Sequence, residues 1–442
     1  MNLSEHPAVR RFVDAPHAPP PEVLDAGALR SLCLECGADD AGLVEIGRPA
    51  LDDQREDLLR YFPPAKTLLG FVCRMNREPV RSPARSVSNL EFHQTGDHVN
   101  DVARRIVAAL ERMGVRATNP AMGFPMEMSR FPGKLWVVSH KPVAVAAGLG
   151  HMGVHRNVIH PRFGNFILLG TVLVAAEATA YDQPIPYNPC LECKLCVAAC
   201  PTGAISADGR FDFSACYTHN YREFMGGFAD WVERVAASEG GLDYRKRVPD
   251  ADTVSLWQSL AFGPNYKAAY CVAVCPAGDD VIGPFLTDRA GHLRETVRPL
   301  QEKEETVYVV AGSDAEAHVA RRFPHKTLRQ VGNGLRPRTV DGFLMGLPLV
   351  FQAGKAADLR AVYHFTFTGR ETRSATIEIR EGSLQVREGH HDRPDLRVTA
   401  DAETWLGFLA KERSLLFALL RRRIRIRGPI RLLVAFGRCF PS

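Results

Sequence analysis

The chain has 442 residues, of which 45% are hydrophobic and 24% are charged, a composition typical of soluble globular proteins. This length exceeds what one hydrophobic core usually organises, so two or three domains are expected. The net charge of +5 is small and spread along the chain, which gives no argument for a nucleic-acid partner. No apolar run is long enough to span a membrane, and the first 21 residues lack the apolar segment of a signal peptide. Eleven cysteines without an export signal favour metal ligation in the cytoplasm over disulfides.

The first part of the chain alternates helical and strand-like patterns. Residues 1–20 are expected to form a flexible arm, and residues 21–36 predict a helix that ends at Gly37. Apolar runs at 68–73, 135–139 and 166–174 predict buried strands, and the pattern at 101–113 predicts a second helix. This alternation predicts an α/β domain over residues 21–185.

A glycine-rich segment, A-G-L-G-H-M-G-V-H-R-N-V-I-H-P-R-F-G-N, lies between the last two predicted strands at residues 147–165. Glycine lets a backbone approach a large flat ligand closely and adopt positive φ. A dinucleotide site would need a helix here and an acidic residue about twenty residues later. Pro161 and Gly164 interrupt that helix and the acid is missing, so a dinucleotide is the less favoured ligand.

The strongest chemical signal is the cysteine run C-L-E-C-K-L-C-V-A-A-C-P at residues 190–201. The spacing C-x2-C-x2-C-x3-C-P is the one that ligates iron–sulfur clusters in bacterial-type ferredoxins, where the fourth cysteine serves a second cluster. A zinc site and disulfides are the less favoured alternatives. The motif predicts a ferredoxin-like iron–sulfur domain over residues 186–300.

These two motifs, in this order, resemble the corrinoid-binding stretch and two-cluster unit of epoxyqueuosine reductases and reductive dehalogenases. The resemblance covers about residues 40–290 and implies a nitroreductase-like α/β domain that binds cobalamin beside two clusters. It implies cofactor-binding roles for a set of residues in the glycine-rich segment: Gly148, Leu149, Gly150, Gly153, Asn157, Phe163 and Gly164.

The same resemblance implies the ligands of both clusters. The first would take Cys190, Cys193, Cys196 and Cys275. The second would take Cys200, Cys216 and Cys271, but the family's remaining cysteine position is Ala268 in this chain. Three outcomes stay open: a cubane with a non-cysteine ligand, a three-iron cluster, or no second cluster. The missing sulfur could also come through folding from one of the remaining cysteines: Cys33, Cys36, Cys73 or Cys439.

Proton donors are harder to assign. The family's aspartate before the A-G-L-G element and its alternative tyrosine both lack a counterpart here. His140 and Lys141 are the nearest candidates, because histidine titrates near neutrality and lysine stabilises an anion. Other histidines considered are His93, His151, His155 and His160, each more often structural.

The C-terminal third differs in composition. Residues 301–333 begin with a charge run and are predicted to be a linker region. From residue 334 to 442 the chain resembles the α+β sterol-carrier-protein lipid-binding fold, on stretches such as Val362–Gly369 and Ala375–Ile379. Near the end, Arg423, Arg425 and Arg427 alternate with isoleucines, which predicts one arginine-lined strand face.

Together these observations predict a cobalamin- and iron–sulfur-dependent reductase of an organic substrate, with reductive-dehalogenase or epoxide-reductase chemistry. The alternatives are an electron-transfer module without corrin and a reductase that uses an open-iron cluster directly. The predicted partners are a small organic substrate, with a hydrophobic one among the options, reduced ferredoxin or flavodoxin, and a second copy of the chain, with no nucleic acid and no membrane span.

Overall fold

The first domain consists of strands and helices that precede the cysteine run. The computed structural model describes residues 3–15, 19–123, 136–335 and 337–441. The strands of this domain are β1 (Val23–Leu24), β2 (Asp40–Glu45), β3 (Thr67–Arg74), β4 (Ala117–Thr118), β5 (His151–Met152), β6 (Val158–Ile159), β7 (Ile167–Val174) and β8 (Glu177–Ala178). The helices are α1 (Pro7–Val13), α2 (Ala26–Glu35), α3 (Asp52–Tyr61), α4 (Arg77–Arg81), α5 (Arg85–Arg112) and α6 (His140–Ala146).

The core of this domain is an antiparallel sheet with the strand order β2-β3-β7-β4. Side chains of β3 alternate between its two faces, as the period of a strand requires. Leu69 and Phe71 pack with helices α2 and α5, whereas Leu68 and Val72 pack with α3 and α6. The sheet is therefore buried on both faces, which explains why its central strands are apolar throughout.

The segment that carries the cysteine motifs is mainly helical. Its helices are α7 (Leu195–Ala199), α8 (Phe213–Asn220), α9 (Met225–Ala236), α10 (Gly241–Arg247), α11 (Asp250–Phe262), α12 (Tyr270–Ala273), α13 (Ile282–Thr287), α14 (Arg289–His292) and α15 (Arg298–Glu302). Helices α7 and α12 share a hydrophobic core with Met75, Phe92 and Phe166 of the first domain. The two cysteine motifs are thus held against the first domain's sheet and its long helix.

Residues 301–333, which were predicted to be a linker region, contain regular structure. Strands β9 (Thr306–Val309) and β10 (Thr327–Gln330) pair in parallel, and helix α16 (Asp314–Arg322) connects them. Val307, Val309 and Val319 form a small core together with Cys200 and Cys216. One residue of the charge run that suggested a linker forms a buried ion pair. Glu305 pairs at 2.8 Å with Lys326, whose side chain is fully buried.

The C-terminal domain is an α+β unit built on one sheet. Its elements are α17 (Val340–Val350), β11 (Arg360–Thr368), β12 (Arg373–Arg380), β13 (Ser383–Glu388), β14 (Leu396–Asp401), α18 (Ala402–Leu409), α19 (Leu415–Leu420), β15 (Ile424–Arg427) and α20 (Ile430–Cys439). The strand order is β13-β12-β11-β14-β15, with β11 and β14 parallel and the other pairs antiparallel. Aromatic side chains of β11 fill its core, where Phe365 contacts Trp405 at 5.4 Å between ring centroids.

Several element boundaries differ from the sequence predictions. The first predicted helix begins at Ala26, because the Asp25 side chain accepts a hydrogen bond from the Ala28 amide and caps it there. The predicted helix at 101–113 is the end of the longer α5. Residues 136–139 form no strand, and Leu135, where that prediction began, lies outside the described residues. None of the described helices combines the length and apolarity that a bilayer crossing requires.

Candidate functional site

The first cysteine group is assembled from two distant parts of the sequence. Cys190, Cys193 and Cys196 come from the loop before α7 and its first turn, and Cys275 follows α12. All of them line one cavity, together with His155 and the backbone after Cys275. The loop turns tightly because Glu192 and Lys194 adopt left-handed backbone conformations, with φ of 49° and 60°.

Burial disfavours the charged form of three thiols of this cavity. Burial, the largest cause, raises the pKa of Cys196 to about 12, and burial likewise raises the pKa of Cys193 and of Cys275. Without a neighbouring cation these thiols stay protonated. The iron ions of a cluster would supply the missing positive charge and favour the thiolates. The donor set therefore fits an iron–sulfur cluster.

The second cysteine group contains Cys200, Cys216 and Cys271. Cys200 and Cys216 contact the same small core beneath β9, and Cys271 lies in α12. Burial raises the pKa of Cys271 to about 11, with the neighbouring Cys200 thiol as the second cause. Burial raises the pKa of Cys216 as well, followed by the effects of Cys200 and Cys271. Because these thiols change one another's pKa, the three side chains are neighbours.

The fourth position of the second group holds no thiol. Ala268 is buried, and the amides of Ala268 and Ala269 both donate hydrogen bonds to the side-chain oxygen of Asn220, at 3.0 and 2.9 Å. The remaining cysteines lie in other places. Cys33, Cys36 and Cys73 pack in the core between the sheet and helices α2 and α5, and Cys439 packs in the C-terminal domain. The suggestion that one of these four supplies the missing sulfur is therefore wrong.

Among the described residues, no three His, Cys, Asp or Glu side chains converge on a point as the ligands of one metal ion would. The thiols of the first group surround a cavity instead.

The glycines of the resemblance motif are required by the fold itself. A Cβ atom on Gly148 would lie 2.7 Å from the Gln183 carbonyl oxygen, and one on Gly150 would lie 2.4 Å from that of Ile159. On Gly164 it would lie 1.9 Å from the Ala277 carbonyl oxygen, and on Gly153 it would lie 2.7 Å from the Ile159 side chain. Real Cβ atoms do not approach closer than about 3 Å. Gly148, Gly150 and Gly164 thus need glycine whether or not a corrin binds, whereas at Gly153 only side chains occupy the space.

Two further residues of that motif also have intramolecular roles. Leu149 is buried in the core between the sheet and helices α3 and α6. Phe163 is buried too and stacks on His160, with 4.7 Å between ring centroids. The predicted cofactor-binding roles of Leu149 and Phe163 stay predictions, since these contacts already explain both residues.

Asn157 is the motif residue that reaches the cysteines. Its side-chain amide donates to Cys271 Sγ at 3.8 Å. Its side-chain oxygen accepts a hydrogen bond from Lys141 Nζ at 2.8 Å, and the same amine donates to the Arg156 carbonyl at 2.8 Å. Burial lowers the pKa of Lys141, whereas the Cys271 and Cys216 thiolates raise it in turn. Lys141, Asn157 and Cys271 thus form one chain of contacts beside the second cysteine group.

His140 points away from that chain although it is the neighbour of Lys141. Its Nδ1 lies 2.8 Å from Thr171 Oγ1, and its Nε2 lies 3.3 Å from the Ala121 carbonyl. Burial lowers its pKa to about 4, so it is neutral near pH 7. Adjacent positions at the start of α6 project in different directions, so the structure separates the two predicted catalytic residues.

The other candidate histidines have structural partners. The imidazole of His93 contacts the Pro264 carbonyl at 2.9 Å, and that of His160 contacts Asp40 at 3.0 Å. The His155 ring contacts the Asn165 amide at 3.1 Å, and His151 contacts the Met152 carbonyl at 3.2 Å. Of these four, His155 alone also lines the cavity of the first cysteine group.

A buried arginine near the second group was missed by sequence reasoning. The guanidinium carbon of Arg85, a residue of α5, lies 5.3 Å from the centre of the Tyr270 ring. Tyr270 directly precedes Cys271 in the sequence. The Nε and Nη2 atoms of Arg85 are buried and have no hydrogen-bond partner among the described residues. No local pattern distinguishes this arginine from the many on exposed helix faces, because its burial depends on packing between α5 and α12.

The comparisons with known proteins divide the chain into two parts. Residues 352–441 match the SCP-2 sterol transfer family. An epoxyqueuosine reductase from Cellulophaga algicola is 24% identical over 241 residues, covering 48% of this chain and 74% of that protein. The epoxyqueuosine reductase of Gloeobacter violaceus is 25% identical over 169 residues, covering 38% of this chain and 50% of that protein.

Solved structures give weaker likenesses of the same kind. The epoxyqueuosine reductase of Streptococcus thermophilus has a TM-score of 0.36 at 16% identity, covering 62% of this chain and 89% of that chain. A reductive dehalogenase has a TM-score of 0.35 at 16% identity, covering 53% of this chain and 35% of that chain.

The predicted partners need a correction. The relatives are named epoxyqueuosine reductases, and one structure at 16% identity and a TM-score of 0.32, covering 68% of this chain and 82% of that chain, contains an epoxyqueuosine-modified tRNA stem loop. The expectation of a small organic substrate and of no nucleic acid is therefore wrong; it relied on the modest net charge, which says little about a local binding surface. The chain is similar to epoxyqueuosine reductases, which indicates an oxidoreductase, and it ends in a segment that matches the SCP-2 sterol transfer family.

Proposed function

We propose that this chain is an iron–sulfur reductase that also binds cobalamin. One observation carries the proposal: cysteines from segments about eighty residues apart line one cavity, in the spacing typical of cluster ligands. The first cluster would be held by Cys190, Cys193, Cys196 and Cys275. The second would be held by Cys200, Cys216 and Cys271.

The packing of α7 against α12 supports electron transfer between the two groups. Both helices contact each other and share one core, and after burial the neighbouring Cys271 thiol is the next cause that raises the pKa of Cys196. Clusters at these two positions would supply one-electron transfer, and a bound corrinoid would supply a strongly reducing cobalt. The protein's own task is to hold the thiolates and exclude water; Cys196 and Cys275 are buried, whereas Cys193 is exposed.

Support for the corrinoid comes from the similarity to epoxyqueuosine reductases. The glycine motif adds little, because the chain's own backbone occupies the space beside Gly148, Gly150 and Gly164. Lys141 is the stronger candidate for a proton-donating or anion-stabilising role, because its amine lies beside the second thiol group, where it donates to Asn157. His140 is enclosed and neutral, and it is the weaker candidate.

The substrate class to test first is a nucleic acid with a reducible modified base. The name of the relatives and the stem loop in one of their structures support this choice. Because this chain lacks the family's aspartate, Lys141 is the proton donor in this proposal.

The test is anaerobic reconstitution of the full chain with iron, sulfide and cobalamin. We expect iron and sulfide for two clusters, cobalt absorption that survives desalting, and reduction of an epoxyqueuosine-modified stem loop. Cys193→Ser should abolish the first cluster's signal, whereas Cys36→Ser, in a core remote from both groups, should leave it unchanged. If the Cys193→Ser variant retained all of its iron, the ligand assignment would be contradicted.

A second candidate function is electron transfer without a corrin. It is favoured by the intramolecular roles of Gly148, Gly150 and Gly164, which leave the motif explained without a ligand. In that case the reconstituted protein shows the iron–sulfur signals but loses all cobalt on desalting.

The ligand gap at Ala268 defines the type of the second cluster. With three thiols and a buried methyl group in the fourth position, one iron would lack a thiolate or would be absent. Ala268→Cys should convert an electron paramagnetic resonance signal of a three-iron or site-differentiated cluster into that of an ordinary cubane. An identical spectrum in both proteins would mean that another group already completes the cluster.

A further inference from the structure

Helix α19 in the C-terminal domain has apolar side chains on two faces. Leu415, Ala418 and Leu419 pack into the domain core. On the other face, Leu416, Phe417 and Leu420 are 65%, 63% and 70% exposed. A surface helix normally carries polar residues on its outer face. Three large exposed apolar side chains within two turns therefore indicate a contact surface.

The next helix repeats this feature. In α20, Ile430 and Val434 are one turn apart and are 62% and 51% exposed. The same helix buries Phe436 and Cys439 in the core. Strand β15 lies between the two helices in sequence and forms the edge of the sheet. The exposed apolar residues thus flank an edge strand.

The surrounding charge is almost entirely positive. Residues 411–438 contain nine basic residues and one acidic residue. Arg421, Arg422 and Arg423 follow α19 directly and are exposed, and Arg425 and Arg427 are exposed on β15. Ion pairs involve only Arg413 with Glu403 and, at 3.9 Å, Arg423 with Asp401 among the described residues of this segment. Most of the positive charge is therefore available to an anionic partner.

We propose that α19, β15 and α20 form a surface that docks on an anionic lipid bilayer. Apolar side chains beside arginines are the pattern of an interfacial membrane contact, in which the apolar groups enter the acyl boundary and the cations contact lipid phosphates. Each basic residue near an anionic membrane adds about 1 kcal/mol of attraction. An apolar patch alone would not account for the arginines around it. An arginine stripe that only contacts water would not account for the exposed apolar side chains.

The chemistry of the exposed side chains favours a bilayer over RNA. Four of the five exposed apolar residues, Leu416, Leu420, Ile430 and Val434, are aliphatic and cannot stack on bases, and Phe417 is the one aromatic residue among them. Proteins that bind single-stranded RNA rely on aromatic and planar groups. Aliphatic side chains gain most from acyl chains, which are apolar throughout. RNA binding at this surface is therefore an outcome that would overturn the proposal.

The test is co-sedimentation of the full chain with vesicles of phosphatidylcholine alone or of an equimolar mixture with phosphatidylglycerol. We expect binding to the anionic vesicles only, weakened by salt. Removing three cations in R421Q/R422Q/R423Q should lower the partition constant about a hundredfold. F417S/L420S should lower it at least about tenfold, since two inserted side chains are lost. Because all five positions are exposed, circular dichroism should show an unchanged fold.

A matched control comes from another exposed apolar face. Trp257 and Leu260 of α11 are 60% and 66% exposed but lack the arginine cluster, so W257S/L260S should retain vesicle binding. The proposal is overturned if the chain ignores anionic vesicles or binds neutral ones equally well. Equal loss in the α11 variant would overturn it too, as would displacement of the vesicles by an RNA stem loop.

Discussion

Gly164 connects the first domain to the segment that carries Cys275, and its replacement by alanine tests that connection. It has φ of 65°, and its amide and carbonyl both hydrogen-bond to His160 at 2.9 Å. The same loop accepts hydrogen bonds from the Asp279 and Asp280 amides, just after Cys275. An added Cβ would lie 1.9 Å from the Ala277 carbonyl oxygen, so the backbone would have to move.

The expected cost has two parts. A non-glycine residue in the left-handed region costs about 1–2 kcal/mol. Overpacking against a backbone atom typically costs about 1–3 kcal/mol more. Gly164→Ala should therefore destabilise the protein by about 2–5 kcal/mol in total. Gly312→Ala is the matched control, since Gly312 has φ of 75° but nothing within 4 Å of its Cβ position, so it isolates the first part.

Thermal unfolding of the apo protein and iron retention after reconstitution are the two assays. At about 2–4 °C per kcal/mol, a cost of about 3 kcal/mol lowers the midpoint of the transition by roughly 6–12 °C. Iron retention in Gly164→Ala should fall because the backbone next to Cys275 shifts, and it should stay normal in Gly312→Ala. Equal midpoints for the two variants would refute the claim that the Ala277 contact requires glycine.

Other contacts give further predictions. Asn157→Ala removes the N–H donor to Cys271 Sγ, so the reduction potential of the second cluster should fall in a titration followed by electron paramagnetic resonance, and an unchanged potential would contradict this. Lys326→Met leaves Glu305 buried without its 2.8 Å partner and should cost about 3–5 kcal/mol in denaturant unfolding, part of which Glu305→Gln should restore. Burial lowers the pKa of His219 to about 4, so its unfolded form takes up a proton first and stability should fall as the pH drops from about 6.5 to about 4. That fall should be shallower in His219→Gln, and equal slopes would count against the buried histidine as its cause.

The sequence by itself determined features that depend on local spacing. The spacing of the cysteine run grouped Cys190, Cys193 and Cys196 as ligands of one cluster, and these three residues line one cavity. Continuous apolar runs predicted the buried strands at 68–73 and 166–174, which the structure has at β3 and β7 with boundaries one residue apart. Alternating arginines and isoleucines predicted one polar strand face, and Arg425 and Arg427 are exposed while Ile424 is buried. Each of these signals lies within about ten residues.

Only the tertiary structure decided questions that join distant residues. It separated Lys141, which reaches Asn157 beside Cys271, from His140, which turns to Thr171. It placed the four remaining cysteines in other cores, so none of them supplies a thiol at the position of Ala268: Cys33, Cys36, Cys73 and Cys439. Gly148, Gly150 and Gly164 admit the chain's own carbonyl groups, and their predicted cofactor-binding roles stay predictions. A sequence pattern specifies that a backbone must come close to something, whereas packing alone decides whether that partner is a ligand or the protein itself.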